Sequence, residues 1–282
     1  MNKTVLNTLD VILYFVTFYL TQCVMLLAVG IGTGLATGKP IADTLDMSAA
    51  PGGDALLLVM LFSSILTILL FGQFKWSPWS RQYLRSHPWG VAFWAAMLSL
   101  GTILPSQWLL EMLQVQMPQQ YEKLFEQIMG KPAGYIVIGV LVPVAEEMCF
   151  RGAILRKLLA LFGERRHWMA IAVSAVIFGL FHFNVPQFIH ATAIGLLLGW
   201  LYYRTGSIFP GIVFHWVNNT VAFVMFHLMP QINDGKLIDL FHGSTRMMVM
   251  GIVCSLFIFL PSLFQLNQRM RKVAGKELGD RS

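Results

Sequence analysis

The stretch from Val11 to Ala36 contains no Asp, Glu, Lys, Arg or His, and it constrains the fold more than any other feature of the chain. About 20 consecutive apolar residues span the hydrocarbon core of a bilayer as a helix, which pairs every backbone N–H and C=O within the segment. The run is also much longer than the core of a cleavable signal peptide, which is roughly 7 to 15 residues, so it is expected to be retained. Seven more such segments follow, at Ala55 to Phe74, Gly90 to Leu113, Gly134 to Phe162, Trp168 to Phe183, Pro186 to Tyr203, Ser207 to Met229 and Met247 to Leu266. The fold class predicted is all-α, a polytopic transmembrane bundle of about eight spanning helices. Composition agrees: 56% of residues are hydrophobic and 12% charged, against about 25% charged in a soluble domain.

The connecting charges set an orientation, because cytoplasmic loops carry the excess of Lys and Arg. Odd-numbered connections have none: Lys39 faces Asp43, Asp46 and Asp54, while Glu122 and Glu126 balance Lys123 and Lys131. Even-numbered ones are basic, with Lys75, Arg81 and Arg85, then Arg156, Lys157, Arg165 and Arg166, then Arg204. The tail adds Arg269, Arg271, Lys272, Lys276 and Arg281. Both termini are therefore expected in the cytoplasm, with the plasma membrane as the location and the lipid bilayer as the first partner. The net charge of +6 is spread as topology signals and forms no groove or stripe, which argues against nucleic acid. Cys23, Cys149 and Cys254 fall in apolar runs and read as packing residues.

Two smaller features carry structure. Tyr121, Leu124, Phe125, Ile128 and Met129 recur at helical spacing, which predicts an amphipathic helix anchored along the outer interface. Ala191, Gly195 and Gly199 form a small-xxx-small ladder for close approach of two helices. No repeat or composition break marks a second domain, so residues 1–282 are expected to form one integral membrane domain.

Against this background the polar residues inside spans become informative, since each intramembrane charge costs about 2.5 to 3.5 kcal/mol on insertion scales. The fourth span holds Glu146, Glu147 and Arg151, the fifth His182, the sixth His190, and the seventh His215, Asn218, Asn219 and His227. Glu147 and Arg151 are four apart and share a helix face. Glu146 is turned about 100° from Glu147 and needs a different partner. His215 and Asn219 also share a face. A spare carboxylate, two imidazoles and a carboxamide are the parts needed for attack of water on a carbonyl.

Other readings use the same residues. The polar groups would serve as a buried network that orients helices in a non-proteolytic scaffold or immunity protein. Glu146, His182 and His215 are ligand types that zinc accepts, yet there is no HExxH pair on one helix and no cysteine at ligand spacing. Metal-free water activation without a cofactor is therefore expected, with zinc as the weaker alternative. An ion-coupled transporter also uses intramembrane carboxylates, but inverted repeats are lacking. His190, Asn218 and His227 are assigned to packing or anchoring.

The motifs themselves resemble a known family. The chain is similar to the CAAX-protease and bacteriocin-processing intramembrane endopeptidases, whose motifs EExxxR, FxxxH and HxxxN match Glu146, Glu147 and Arg151, then Phe178 and His182, then His215 and Asn219. The resemblance covers about 134 to 225, leaving helices 11–113 and 247–266 as accessory. It implies that Glu146 and His182 polarise the attacking water and that His215 and Asn219 stabilise the oxyanion. Glu147 and Arg151 are implied as supporting residues, and Phe178 as the side chain that fixes the rotation of its helix. The implied partner is a peptide or protein substrate, including membrane-anchored ones.

The depths of these residues conflict with a common site. At about 1.5 Å per residue, Glu146 lies about 18 Å in from the outer start of its helix and His215 about 12 Å in from the inner start of its own, but His182 comes out about 10 Å too shallow.

Overall fold

A computed structural model describes residues 2–40, 43–44, 53–78, 81–229 and 236–270, and every regular element among them is helical. In chain order these are α1 (Lys3–Thr37), α2 (Gly53–Gln73), α3 (Arg81–Arg85), α4 (Trp89–Met112), α5 (Gln119–Met129), α6 (Pro132–Phe162), α7 (His167–Leu180), α8 (Val185–Thr205), α9 (Phe209–Leu228), α10 (Leu237–Leu240) and α11 (Thr245–Arg269). Seven of them are long and apolar enough to cross a membrane: α1, α2, α4, α6, α8, α9 and α11. The eighth predicted span, α7, has 14 residues and a length of about 21 Å, short of the roughly 30 Å hydrocarbon core. Asp46 and the tail charges Arg271, Lys272, Lys276 and Arg281 lie outside the described residues.

Helix ends follow local chemistry more closely than hydropathy does. α1 begins well before the apolar run, where the Thr4 N–H donates to the Asn2 side chain at 3.1 Å, and it stops at Gly38 with φ +68°, the left-handed conformation glycine permits. α8 starts from the Asn184 cap with Pro186 in its first turn, a position where a missing N–H costs nothing.

The chain gathers into two compact units. The first comprises Met1–Pro78 and Met117–Lys157, in which α2 packs against α1, α5 and α6. Thr21 and Thr67 hydrogen-bond at 3.0 Å, and Ser63 donates to Gln22 at 2.7 Å. These polar contacts tie α1 to α2 where the hydrophobic effect offers no drive for association. The apolar side of α5 is turned inward: Ile128 packs with Leu57 of α2 and Val137 of α6. The end of the stripe that carries Ile128 and Met129 is buried on protein, while Tyr121, Leu124 and Phe125 are half-buried.

The second unit comprises Trp79–Gln116 and Leu158–Ser282. Here α4 packs on α8, α9 and α11, and α7 lies along α8. The small-residue ladder works as expected in that pair: a Cβ on Gly199 would come within 2.8 Å of Ile171 on α7. From the other side, a Cβ on Gly179 would meet the Phe188 carbonyl at 2.8 Å, so α7 is seated closely beside the first turns of α8.

Candidate active site

In the first unit the acidic motif sits on α6, which is not a uniform α-helix. Two stretches, Tyr135–Leu141 and Met148–Leu155, are π-helical and flank the α-helical turn Val142–Glu147 that carries both glutamates. The Val142 N–H reaches the Val137 carbonyl, five residues back. Wider turns of this kind alter which way following side chains face, and they concentrate at functional sites.

Glu147 and Arg151 form the pair expected from their spacing, with Arg151 Nη1 2.7 Å from Glu147 Oε1 and side-chain exposures of 0% and 1%. Glu146 is buried too, at 7% exposure. Aromatic and thiol neighbours seal the region: Phe150 meets Phe18 edge-on with centroids 5.3 Å apart, and Cys149 is buried near the Tyr14 carbonyl. Such a pair is expensive to break, because loss of one partner strands the other's charge in a low-dielectric interior.

The second unit holds the imidazole motifs. Phe178 lies at the end of α7, fully buried, with His182 5.1 Å and His215 6.0 Å from it, both edge-to-face. One phenyl ring thus packs against both histidines. His182 was expected within the fifth helix, but that helix ends at Leu180 and His182 stands in the turn that follows. The depth that the sequence assigns to His182 changes little, because α7 itself is about 21 Å long.

The turn has its own chemistry. His182 Nδ1 lies 3.0 Å from the Phe178 carbonyl, and since a carbonyl only accepts, Nδ1 carries the proton and the neutral ring keeps its lone pair on Nε2. Asn184 Nδ2 donates to the His182 carbonyl at 2.8 Å and to Gln187 Oε1 at 2.5 Å, while Asn184 Oδ1 accepts the Gln187 N–H at 3.0 Å. Between them Phe183 adopts φ +56°, a genuine outlier for a bulky residue.

On α9, His215 is buried at 4% exposure and Asn219 is half-buried. Asn218 Nδ2 donates to Asn219 Oδ1 at 3.3 Å, and the Asn219 carboxamide also carries the NH2 donors. An oxyanion requires donors. Sequence spacing assigns no site role to Asn184 or Asn218, although Asn218 stands three residues from His215 and so shares its face. His190 stands half-buried on α8. His227 bonds the Phe223 carbonyl at 3.0 Å, in keeping with a local anchoring role.

Among the described residues no group of three or more His, Cys, Asp or Glu side chains is arranged to hold a metal ion.

These features define an integral, polytopic helical membrane protein with a buried acid pair on one helix and a histidine and carboxamide set on others. Residues 129–221 match the family model described as type II CAAX prenyl endopeptidase Rce1-like, and that segment includes all seven motif residues. Over 104 residues the chain is 31% identical to the Bacillus subtilis (strain 168) protein named "Putative membrane peptidase YdiL", covering 37% of this chain and 41% of that protein. The chain thus spans less than half the length of that relative. No solved structure matches.

Proposed function

We propose that the protein is an intramembrane endopeptidase that hydrolyses a peptide bond of a membrane-associated substrate with a water activated by Glu146 and His182. His215 and Asn219 supply the donors that stabilise the tetrahedral oxyanion, and Glu147 and Arg151 hold the helix that carries Glu146. The observation that carries this reading is the family match over 129–221, which takes in all three motifs at the family's order and spacing. One detail of geometry supports it: the Nε2 lone pair of His182, left by the Nδ1–H bond to the Phe178 carbonyl. Charge asymmetry between loops supports cytoplasmic termini.

The experiment is Glu146→Gln in the full chain reconstituted into lipid nanodiscs, assayed on a quenched fluorogenic peptide ending in a farnesylated CAAX sequence. General-base loss should lower turnover by about 10²- to 10⁴-fold, with folded protein recovered in normal amount. Comparison of membrane peptidomes from cells carrying the wild-type chain or the Glu146→Gln variant identifies substrates of other kinds. If neither assay separates the two proteins, the buried cluster is a scaffold and the peptidase reading fails. Exhaustive chelation is expected to leave wild-type turnover unchanged.

A further inference from the structure

We infer that Asn184, together with Gln187, is a positioning residue for His182, an assignment whose functional meaning rests on the peptidase reading. As the N-cap of α8, Asn184 needs only an oxygen: Oδ1 accepts the Gln187 N–H at 3.0 Å, which Ser, Thr or Asp would do as well. The other half of the carboxamide does something a cap does not require. Nδ2 donates to the His182 carbonyl at 2.8 Å and to Gln187 Oε1 at 2.5 Å, so one buried side chain joins the first turn of α8 to the backbone of the histidine. Asn184 is 7% exposed, and water does not readily replace these bonds.

The cost of this arrangement is visible in Phe183. It is held at φ +56° with 63% of its surface exposed, so burial of its own side chain gives little compensation. Strain of this kind persists only where surrounding contacts over-determine it, and it clusters at functional sites. The contacts here are the Asn184 clamp on one side and, on the other, the Phe183 N–H to the Leu180 carbonyl at 3.2 Å. The ring of His182 is held by its Nδ1–H bond to the Phe178 carbonyl, a bond whose alignment depends on the backbone that Asn184 clamps. Backbone and ring are thus both tethered, and Nε2 is held in one direction. Activation of water depends on that direction, since small misplacements of a catalytic group lower rates by up to about 10²-fold.

Asn184→Asp separates the two roles. An ionised Asp at a helix N-terminus keeps the cap and suits the helix dipole, but it has no donor for the His182 carbonyl. In the full chain in nanodiscs, on the farnesylated fluorogenic peptide, the expected result per folded molecule is KM within about twofold and kcat lowered by about 10- to 10²-fold, with the thermal midpoint lowered because the buried carboxylate faces the His182 carbonyl and Gln187 Oε1. Phe183→Gly provides a second variant that relieves the left-handed strain and should hold or raise the midpoint while lowering kcat. Wild-type kcat in both variants would mean that Asn184 only caps α8, and would overturn the assignment. A readout without substrate is the imidazole ¹⁵N spectrum, with His182 assigned by its loss in His182→Ala. The two His182 nitrogens should be well separated in the wild type and drawn together in Asn184→Asp as the fixed tautomer is released. If that collapse occurs in a chain that cleaves nothing, the positioning role stands and the peptidase reading fails; if the nitrogens are unchanged in a chain that cleaves, the peptidase reading stands and the positioning role fails.

Discussion

Protein covers 56% of the most apolar stretch of α6 and 11% of that of α11, although both helices are apolar enough to cross a bilayer. α6 encloses Glu146, Glu147 and Arg151, whereas α11 has no Asp, Glu, Lys or Arg between Met247 and Gln268 and exposes Met250, Phe257, Leu260 and Phe264. In lipid the usual sorting of residues is reversed, because hydrocarbon solvates a phenyl ring well and a charge badly. The more apolar helix is the more exposed one. Hydropathy therefore finds both spans and says little about which of them carries chemistry; the position of charge does.

The sharpest test of that contrast is Arg151→Leu. With the guanidinium gone, the Glu147 carboxyl stays buried without its ion pair, and a loss of about 3 to 5 kcal/mol in folding free energy is expected, read as thermal unfolding in micelles. The double change Glu147→Leu with Arg151→Leu should restore most of this stability, since apolar replacement of a whole buried pair is close to neutral, yet leave turnover low if the pair serves to hold Glu146. A double variant as unstable as the single one would show that the pair stabilises α6 beyond its own charges. The reciprocal experiment places a charge on the other helix. Phe257→Lys should cost about 2.5 to 3.5 kcal/mol in membrane insertion, measured by glycosylation mapping of inserted chains, because Phe257 is 74% exposed and nothing on its face offers a counter-charge.

Much of this was legible before any coordinates, and the part that was not has identifiable causes. The pairing of Glu147 with Arg151 followed from a four-residue spacing, and it holds although the helix widens immediately after Glu147. The widening had no signature, since Met148–Leu155 contains nothing that a normal α-helix would refuse. Hydropathy begins the first helix at Val11, but α1 starts at Lys3, where the Asn2 side chain caps it by accepting the Thr4 N–H. The fifth helix ran too long, through Phe183, for the opposite reason: apolar residues continue past Leu180 while the backbone leaves the helix. The stop was written one residue later. Asn184 followed by Pro186 and Gln187 is an N-cap pattern, and a cap for the next helix forces the preceding residues out of theirs. Convergence of His182 and His215 on Phe178 had no sequence signal at all beyond the resemblance, since edge-to-face contact between helices depends on rotations that spacing leaves undetermined.

The smallest effect tests whether burial, and not mere pairing, gives the α6 cluster its weight. Lys157 Nζ and Asp10 Oδ2 are 2.8 Å apart, nearly the same separation as in the Glu147 pair, but their side chains are 21% and 31% exposed. The helix is the same, the geometry is comparable and the solvent differs. Water and headgroups screen the partly exposed pair, and they resolvate Lys157 when its partner is removed, so little charge is stranded. Asp10→Asn, which keeps the shape of the side chain, should therefore cost no more than about 1 kcal/mol, and the loss should shrink further as salt is raised. A cost that matched Arg151→Leu and ignored salt would mean that the Lys157–Asp10 pair draws its strength from tethering α1 to α6, and that exclusion of water is not what separates a strong ion pair from a weak one on this helix.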